Sequence, residues 1–133
     1  MSLAHADLRP RLVHGLAALG HTLPADTVDQ LMAYLAELAR WNSAYNLTAV
    51  RDLPGMVDRH LLDSLALLTP LASALAAPGA RVLDVGSGPG LPGLILAIVH
   101  PTVPITALDS NGKKARFLRH AVRTLGLSSV SVA

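Results

Sequence analysis

The chain has 133 residues, 51% hydrophobic and 15% charged, with no cysteine and a net charge of +2. That length suits one domain, the apolar share is enough for a core, and a charged fraction well below the usual quarter or so excludes disorder over most of the chain. The absence of cysteine excludes disulfides, thiolate metal sites and a cysteine nucleophile.

Met1 to Pro10 carries His5, Asp7 and Arg9 and no long apolar run, so no signal peptide is expected. Later apolar stretches are broken by Gly, Pro or polar residues before a membrane span is reached, and a cytoplasmic protein with no membrane partner is the expectation. Val28, Leu31, Leu35 and Leu38 recur at helix spacing, and Pro24 and Asp26 suit a first turn, so a helix is expected from Pro24 to Trp41. The polar run Asn42 to Asn46 reads as its break. A second helix starts near Pro54, with Met56, Val57, His60, Leu61, Ser64, Leu65 and Leu68 along one side. Thr69-Pro70 is expected to end or kink it, and a short Ala/Leu helix follows to Ala77.

The pattern changes near Pro78-Gly79, dividing the chain into a helical region, 1–78, and a second part, 79–133. Arg81 to Val85 is a short apolar run ending at glycines and reads as a buried strand. Leu91 to Val99 reads as an apolar helix, Val103 to Leu108 as a second strand, Asn111 to Leu125 as an amphipathic helix stopped by Gly126, and Ser129 to Val132 as a third strand. The order β-α-β-α-β implies a parallel sheet with right-handed crossovers.

Val82 to Leu91 is the most informative segment. A strand must turn sharply into a helix, and glycines permit positive φ and close approach of a ligand to the backbone. The helix start behind them is expected to offer free amide donors. A dinucleotide loop has glycines spaced G-x-G-x-x-G, whereas Gly86, Gly88 and Gly90 give G-x-G-x-G, with Leu91 at the dinucleotide position. This spacing disfavours a nicotinamide-dependent oxidoreductase and suits a ligand without a diphosphate, such as S-adenosyl-L-methionine. Asp109, 23 residues after Gly86, ends the next strand. Its carboxylate can accept from both ribose hydroxyls, and sequential parallel strands place it on the same carboxyl edge as the loop. A plain tight turn is the competing reading. Asp84 has two readings: contact with the ligand's ammonium group, or capping of the glycine loop's own amides.

Beyond Asp109 come Lys113, Lys114, Arg116, Arg119 and Arg123 and no acid. On a helical wheel Arg116, Arg119 and Arg123 share one arc, opposite an apolar arc that includes Phe117, Leu118 and Ala121. The arginines form either an anion-binding face or a solvated one. Lys114 falls near the apolar side, where it snorkels or points to the ligand edge. Arg51 and Arg59 are further cations. His60 reads mainly as a packing residue able to pair with Asp63 at i,i+3. His5, His14, His21, His100 and His120 lack metal-ligand spacing. Trp41, Tyr45 and Asn46 suit either base stacking or locking the helices onto the sheet, and locking is favoured for Trp41.

Four ordered motifs carry a resemblance: Leu38-Ala39-Arg40-Trp41-Asn42 with Tyr45 to Asp52; Arg59 to Leu65; Leu83 to Gly93; and Asp109-Ser110 with Lys113-Lys114 and Arg116-Phe117-Leu118. Together they resemble the glucose-inhibited division protein B family, the bacterial 16S ribosomal RNA guanine-N7 methyltransferases, over residues 23 to 133. The resemblance implies a helical cap followed by the first β-α-β-α-β half of a Rossmann-like methyltransferase fold. It implies S-adenosylmethionine as cofactor, with Gly86 and Leu91 at cofactor-contacting positions and Asp109 as the ribose acceptor, and 16S rRNA or the small ribosomal subunit as partner. From the residues themselves, Asp84, Gly88 and Gly90 join the cofactor candidates, and Arg51, Arg59, Lys113, Lys114, Arg116, Arg119 and Arg123 are candidates for RNA contact. Guanine N7 has a free in-plane lone pair, so no general base is nominated. Family members continue past this length with further strands and an Arg-x-Glu segment, so the chain is read as a C-terminally shortened member with Val82 to Val85 at a sheet edge. Self-association of the isolated chain is the expectation. A nucleotide- or RNA-binding module without turnover is the second reading.

Overall fold

The computed structural model describes residues 3–133 and, for side chains, those from Leu8 onward. His5 and most of the Met1 to Pro10 reading therefore lie outside the described side chains. The order is α1 (Leu3–Ala18), α2 (Ala25–Tyr45), α3 (Leu53–Met56), a π-wound turn (Val57–Leu62), α4 (Asp63–Leu65), α5 (Leu68–Ala76), β1 (Val82–Val85), α6 (Gly93–Val99), β2 (Ile105–Leu108), α7 (Gly112–Leu125) and β3 (Val130–Val132). None of these helices is long and apolar enough to cross a membrane.

The helical region differs from the expectation in three places. The first helix is α1, not α2. Leu8, Leu12 and Leu16 sit at four-residue steps and are buried, but Pro10 inside the helix masks the pattern. α2 runs to Tyr45, four residues beyond Trp41, because the polar run folds inward: buried Asn42 accepts from the Thr48 amide at 2.9 Å and donates to the Val50 carbonyl at 3.3 Å. Asn46, with φ of 53°, then ends the helix in a left-handed cap. The next break falls at Ala66 and Leu67, and Pro70 lies in the first turn of α5 instead of ending its predecessor, because the first turn has no use for the missing N–H.

The π turn follows from side-chain spacing. Val57, Leu61 and Leu65 are all fully buried at four-residue steps. An α-helix drifts about 40° over four residues, and a wider turn keeps all three on the core.

The sheet is parallel in the order β1-β2-β3, with Val82, Ile105 and Val130 in register. Crossovers of this kind are right-handed almost without exception, so strands added in one direction carry α6 and α7 on the same face. The Val82, Ile105 and Val130 side packs on these helices, while Leu83 and Val85 on the opposite side are 63% and 69% exposed. Burial of β1 on both faces was expected; among the described residues only one face is layered. One hydrophobic cluster runs unbroken from Leu12 through Leu38 and Leu65 to Ile95 and Phe117. Each fully buried Leu there contributes about 1.5–3 kcal/mol relative to exposure.

α2 joins the two parts. It lies antiparallel to α7: Gln30 donates to the Leu125 carbonyl at 2.9 Å, Glu37 meets His120, and Trp41 packs edge-on against Phe117.

Among the described residues no strand pairs with the outer side of β1, where Leu83 and Val85 are exposed, a combination that invites pairing with a second chain. Sedimentation velocity should show concentration-dependent association, weakened by Val85→Lys. A monomer at all concentrations would contradict this.

Candidate ligand crevice at the carboxyl edge of the sheet

β1 ends at Val85 and the chain turns through Gly86, Ser87, Gly88, Pro89 and Gly90 before α6. The three glycines take φ of 72°, 57° and 101°, conformations that side chains resist. The loop's amides are occupied within the fold. Those of Gly86 and Ser87 donate to the Leu108 carbonyl at 2.7 and 3.1 Å, those of Gly90 and Leu91 to the Ser87 carbonyl at 2.9 and 3.0 Å, and that of Gly88 to Asp109 Oδ2 at 2.7 Å. The expected free donors are therefore absent at these positions: the end of β2 takes up the first two through Leu108, Asp109 just beyond it takes the third, and the loop's own turn at Ser87 takes the last two. What the loop offers is bare backbone: a Cβ added at Gly86 would meet no atom within 4 Å.

Asp109 holds the arrangement. While Oδ2 takes the Gly88 amide, Oδ1 accepts from Asn111 at 2.8 Å. The Asn111 amide is the main cause that lowers its pKa, with the Gly88 amide and the charge of Lys114 adding to it against some burial. Each carboxylate oxygen keeps a second acceptor site. Asn111 in turn caps α7, accepting from Lys113 and Lys114 at 3.0 and 3.1 Å.

Asp84 accepts from the Gly93 amide at 2.9 Å. It thus caps the first residue of α6, a variant of the capping reading. Partial burial raises its pKa, opposed by that amide. A Cβ at Gly93 would stand 2.6 Å from Asp84 Oδ2, so the cap requires glycine there.

Val85, Gly86, Leu108, Asp109 and Ser110 line a crevice of about 390 Å³, within the range of small-ligand clefts, about 300–1,000 Å³. Gly86 and Asp109 meet there. Buried Gly88 and Gly90 and half-buried Leu91 lie behind the loop and do not line it. A larger hollow, about 650 Å³, opens at the other end of the strands beside Ala77, Arg81 and Pro104, with Arg81 as its one ionisable side chain. The carboxyl-edge crevice is the candidate site because the convergent polar groups are there.

Lys113, Arg116, Arg119 and Arg123 are exposed on α7, Lys114 is half-buried, and none of the five forms an ion pair among the described residues. Arg51 donates to Asn46 Oδ1 at 2.6 Å, and Arg59 is exposed on the π turn. His60 pairs not with Asp63 but with Thr48, Nε2 to Oγ1 at 2.7 Å, which pins the loop after α2; burial lowers its pKa.

Sequence reasoning passed over Tyr34. It is fully buried, and its hydroxyl donates to the Pro89 carbonyl at 2.7 Å, fixing the glycine loop to α2. Burial holds the phenol neutral by raising its pKa far above the ordinary value. The signal was its place between Leu31 and Leu35 on the apolar stripe, since a buried phenol needs a partner. Ser87, 1% exposed and bonded to the Asp84 carbonyl at 2.8 Å, had no comparable signal.

The description "rRNA small subunit methyltransferase G", GidB, matches residues 27–133. Proteins named ribosomal RNA small subunit methyltransferase G are similar to this chain: 49% identical in Cellvibrio japonicus over 99% of the chain and 60% of the relative; 54% in Chromohalobacter salexigens over 91% and 55%; and 53% in Pseudomonas aeruginosa over 96% and 56%. The chain thus spans between 55% and 60% of these relatives' length.

The two aspartates depart in opposite directions from the ordinary 3.8. Asp109 contributes stability above its unfolded value, and loses it as pH falls through the lower folded value. Asp84 opposes folding when ionised, and that opposition disappears on acidification. Carbon-13 titration of the carboxyls should find Asp84 protonating first and Asp109 after it; the reverse order would contradict these hydrogen bonds.

Proposed function

Because the chain belongs to the rRNA small subunit methyltransferase G family, we propose that it is the cofactor-binding segment of an S-adenosylmethionine-dependent enzyme that methylates guanine N7 in 16S rRNA, acting in the cytoplasm. The observation that carries this reading is the juncture of bare backbone at Gly86 with the carboxylate of Asp109 in one crevice.

In this reading Asp109 receives the ribose hydroxyls on its remaining acceptor sites, and Gly86 lets the ligand lie against the backbone. Val85 and Leu108, both exposed, give apolar contact. Gly88, Gly90 and Leu91 shape the loop from behind. Asp84, whose Oδ2 holds the Gly93 amide behind the crevice, is assigned the ligand's ammonium group through its other oxygen. When bound, S-adenosylmethionine supplies a methyl group on a positively charged sulfur. Guanine N7 needs no deprotonation, so the protein's task is alignment, and no residue is assigned as a base. Lys113, Lys114, Arg116, Arg119 and Arg123, with Arg51 and Arg59, supply the attraction for the RNA backbone.

The reading is tested by calorimetry with S-adenosylmethionine, S-adenosylhomocysteine and NAD. The first two should bind and NAD should not. Asp109→Ala should weaken both about 10- to 100-fold, the range for hydrogen bonds to a charged group. Preference for NAD would overturn the reading. Transfer of labelled methyl to small-subunit RNA separates an enzyme from a binding module without turnover.

A further inference from the structure

All four aromatic residues of the chain, Trp41, Tyr34, Tyr45 and Phe117, fall on one line of ring contacts. Tyr34, bonded to the glycine loop, lies 6.2 Å from Phe117. Phe117 lies 5.6 Å from Trp41, and Trp41 lies 5.4 Å from Tyr45. Exposure rises along it, from fully buried Tyr34 and Phe117, through half-buried Trp41, to Tyr45 at 42%. His120 stacks obliquely on Trp41 at 4.9 Å and 31°, held by Glu37 at 2.9 Å.

The row runs toward the cationic start of α7. Since α2 and α7 are antiparallel, with Glu37 opposite His120 and Trp41 opposite Phe117, the end of α2 lies toward the start of α7. Arg116 and Lys113 stand one and two turns before His120, on its side of the helix. Glu37, the acid in this cluster, is already engaged by Arg40 and His120. An exposed aromatic ring on a rigid support, with cations that form no ion pair among the described residues lying in the direction of α7's start, fits an unpaired nucleotide, with its base on the ring and its phosphate on the cations.

We propose that Tyr45, supported by Trp41, is a stacking shelf for one unpaired base of an RNA strand whose backbone crosses Lys113 and Arg116. The shelf rests on the RNA-substrate reading above and adds a base contact outside the cofactor crevice. Trp41, itself packed on Phe117, braces the ring, so little conformational freedom is lost when a base arrives.

Fluorescence anisotropy with labelled single-stranded oligoadenylate and with an RNA duplex of the same length tests it, on the wild-type chain, Tyr45→Ala and Tyr45→Phe. Tyr45→Ala should bind the single strand at least about fivefold more weakly. Tyr45→Phe should stay within about twofold of wild type, since the stacking face is kept, and the duplex should not distinguish the three proteins. Equal single-strand affinity of wild type and Tyr45→Ala would overturn the shelf and leave the RNA reading standing. So would an equal loss on the duplex, or a loss in Tyr45→Phe as large as in Tyr45→Ala. Absence of RNA binding by the wild type at low salt would overturn the RNA reading itself. Matching far-ultraviolet circular dichroism and melting of the three proteins excludes misfolding as the cause.

Discussion

The carboxylate of Asp109 receives two backbone amides, Gly88 at 2.7 Å and Asn111 at 2.8 Å, and through them sets the glycine loop, the end of β2 and the start of α7 in one place. Without an acceptor there, the Gly88 amide would face a partly buried position unsatisfied, a loss of about 1–3 kcal/mol. The loop could not keep its course against Leu108, whose carbonyl receives the two preceding amides. The group proposed to meet a ribose is thus also the one that builds the crevice.

Around that anchor the molecule is layered by simple means. Parallel strands added in one direction bring α6 and α7 to one side, and α2 lies across both. Tyr34 ties α2 to Pro89, and the end of the same helix carries Trp41 and Tyr45. The helical region therefore contributes to the site's framework, since it fixes the loop from behind and presents an aromatic end beside α7.

Much of this was legible in the amino-acid order. The Val82 to Leu91 motif, the acid at Asp109 and the stop at Gly126 are local signals: glycine spacing, strand length and a left-handed cap are properties of a few adjacent residues. What escaped depends on distant partners. Asn42 looks like a helix breaker until Thr48 and Val50 fold back onto it. Pro10 hides α1 although the leucine spacing is present. The occupied amides of Gly86, Ser87 and Gly88 could not be foreseen, because they follow from where β2 stops and Asp109 turns. The exposure of Leu83 follows from the absence of a second helical layer among the described residues, which a strand's own composition does not reveal.

Trp41 is the one tryptophan in the chain. Its indole sits where α2 meets α7, between the imidazole of His120 and the rings of Phe117 and Tyr45. The protein's native emission on excitation near the red edge of its absorption therefore originates at that seam alone. The chain carries its own optical probe at the contact between its helical cap and its basic helix, with no label attached.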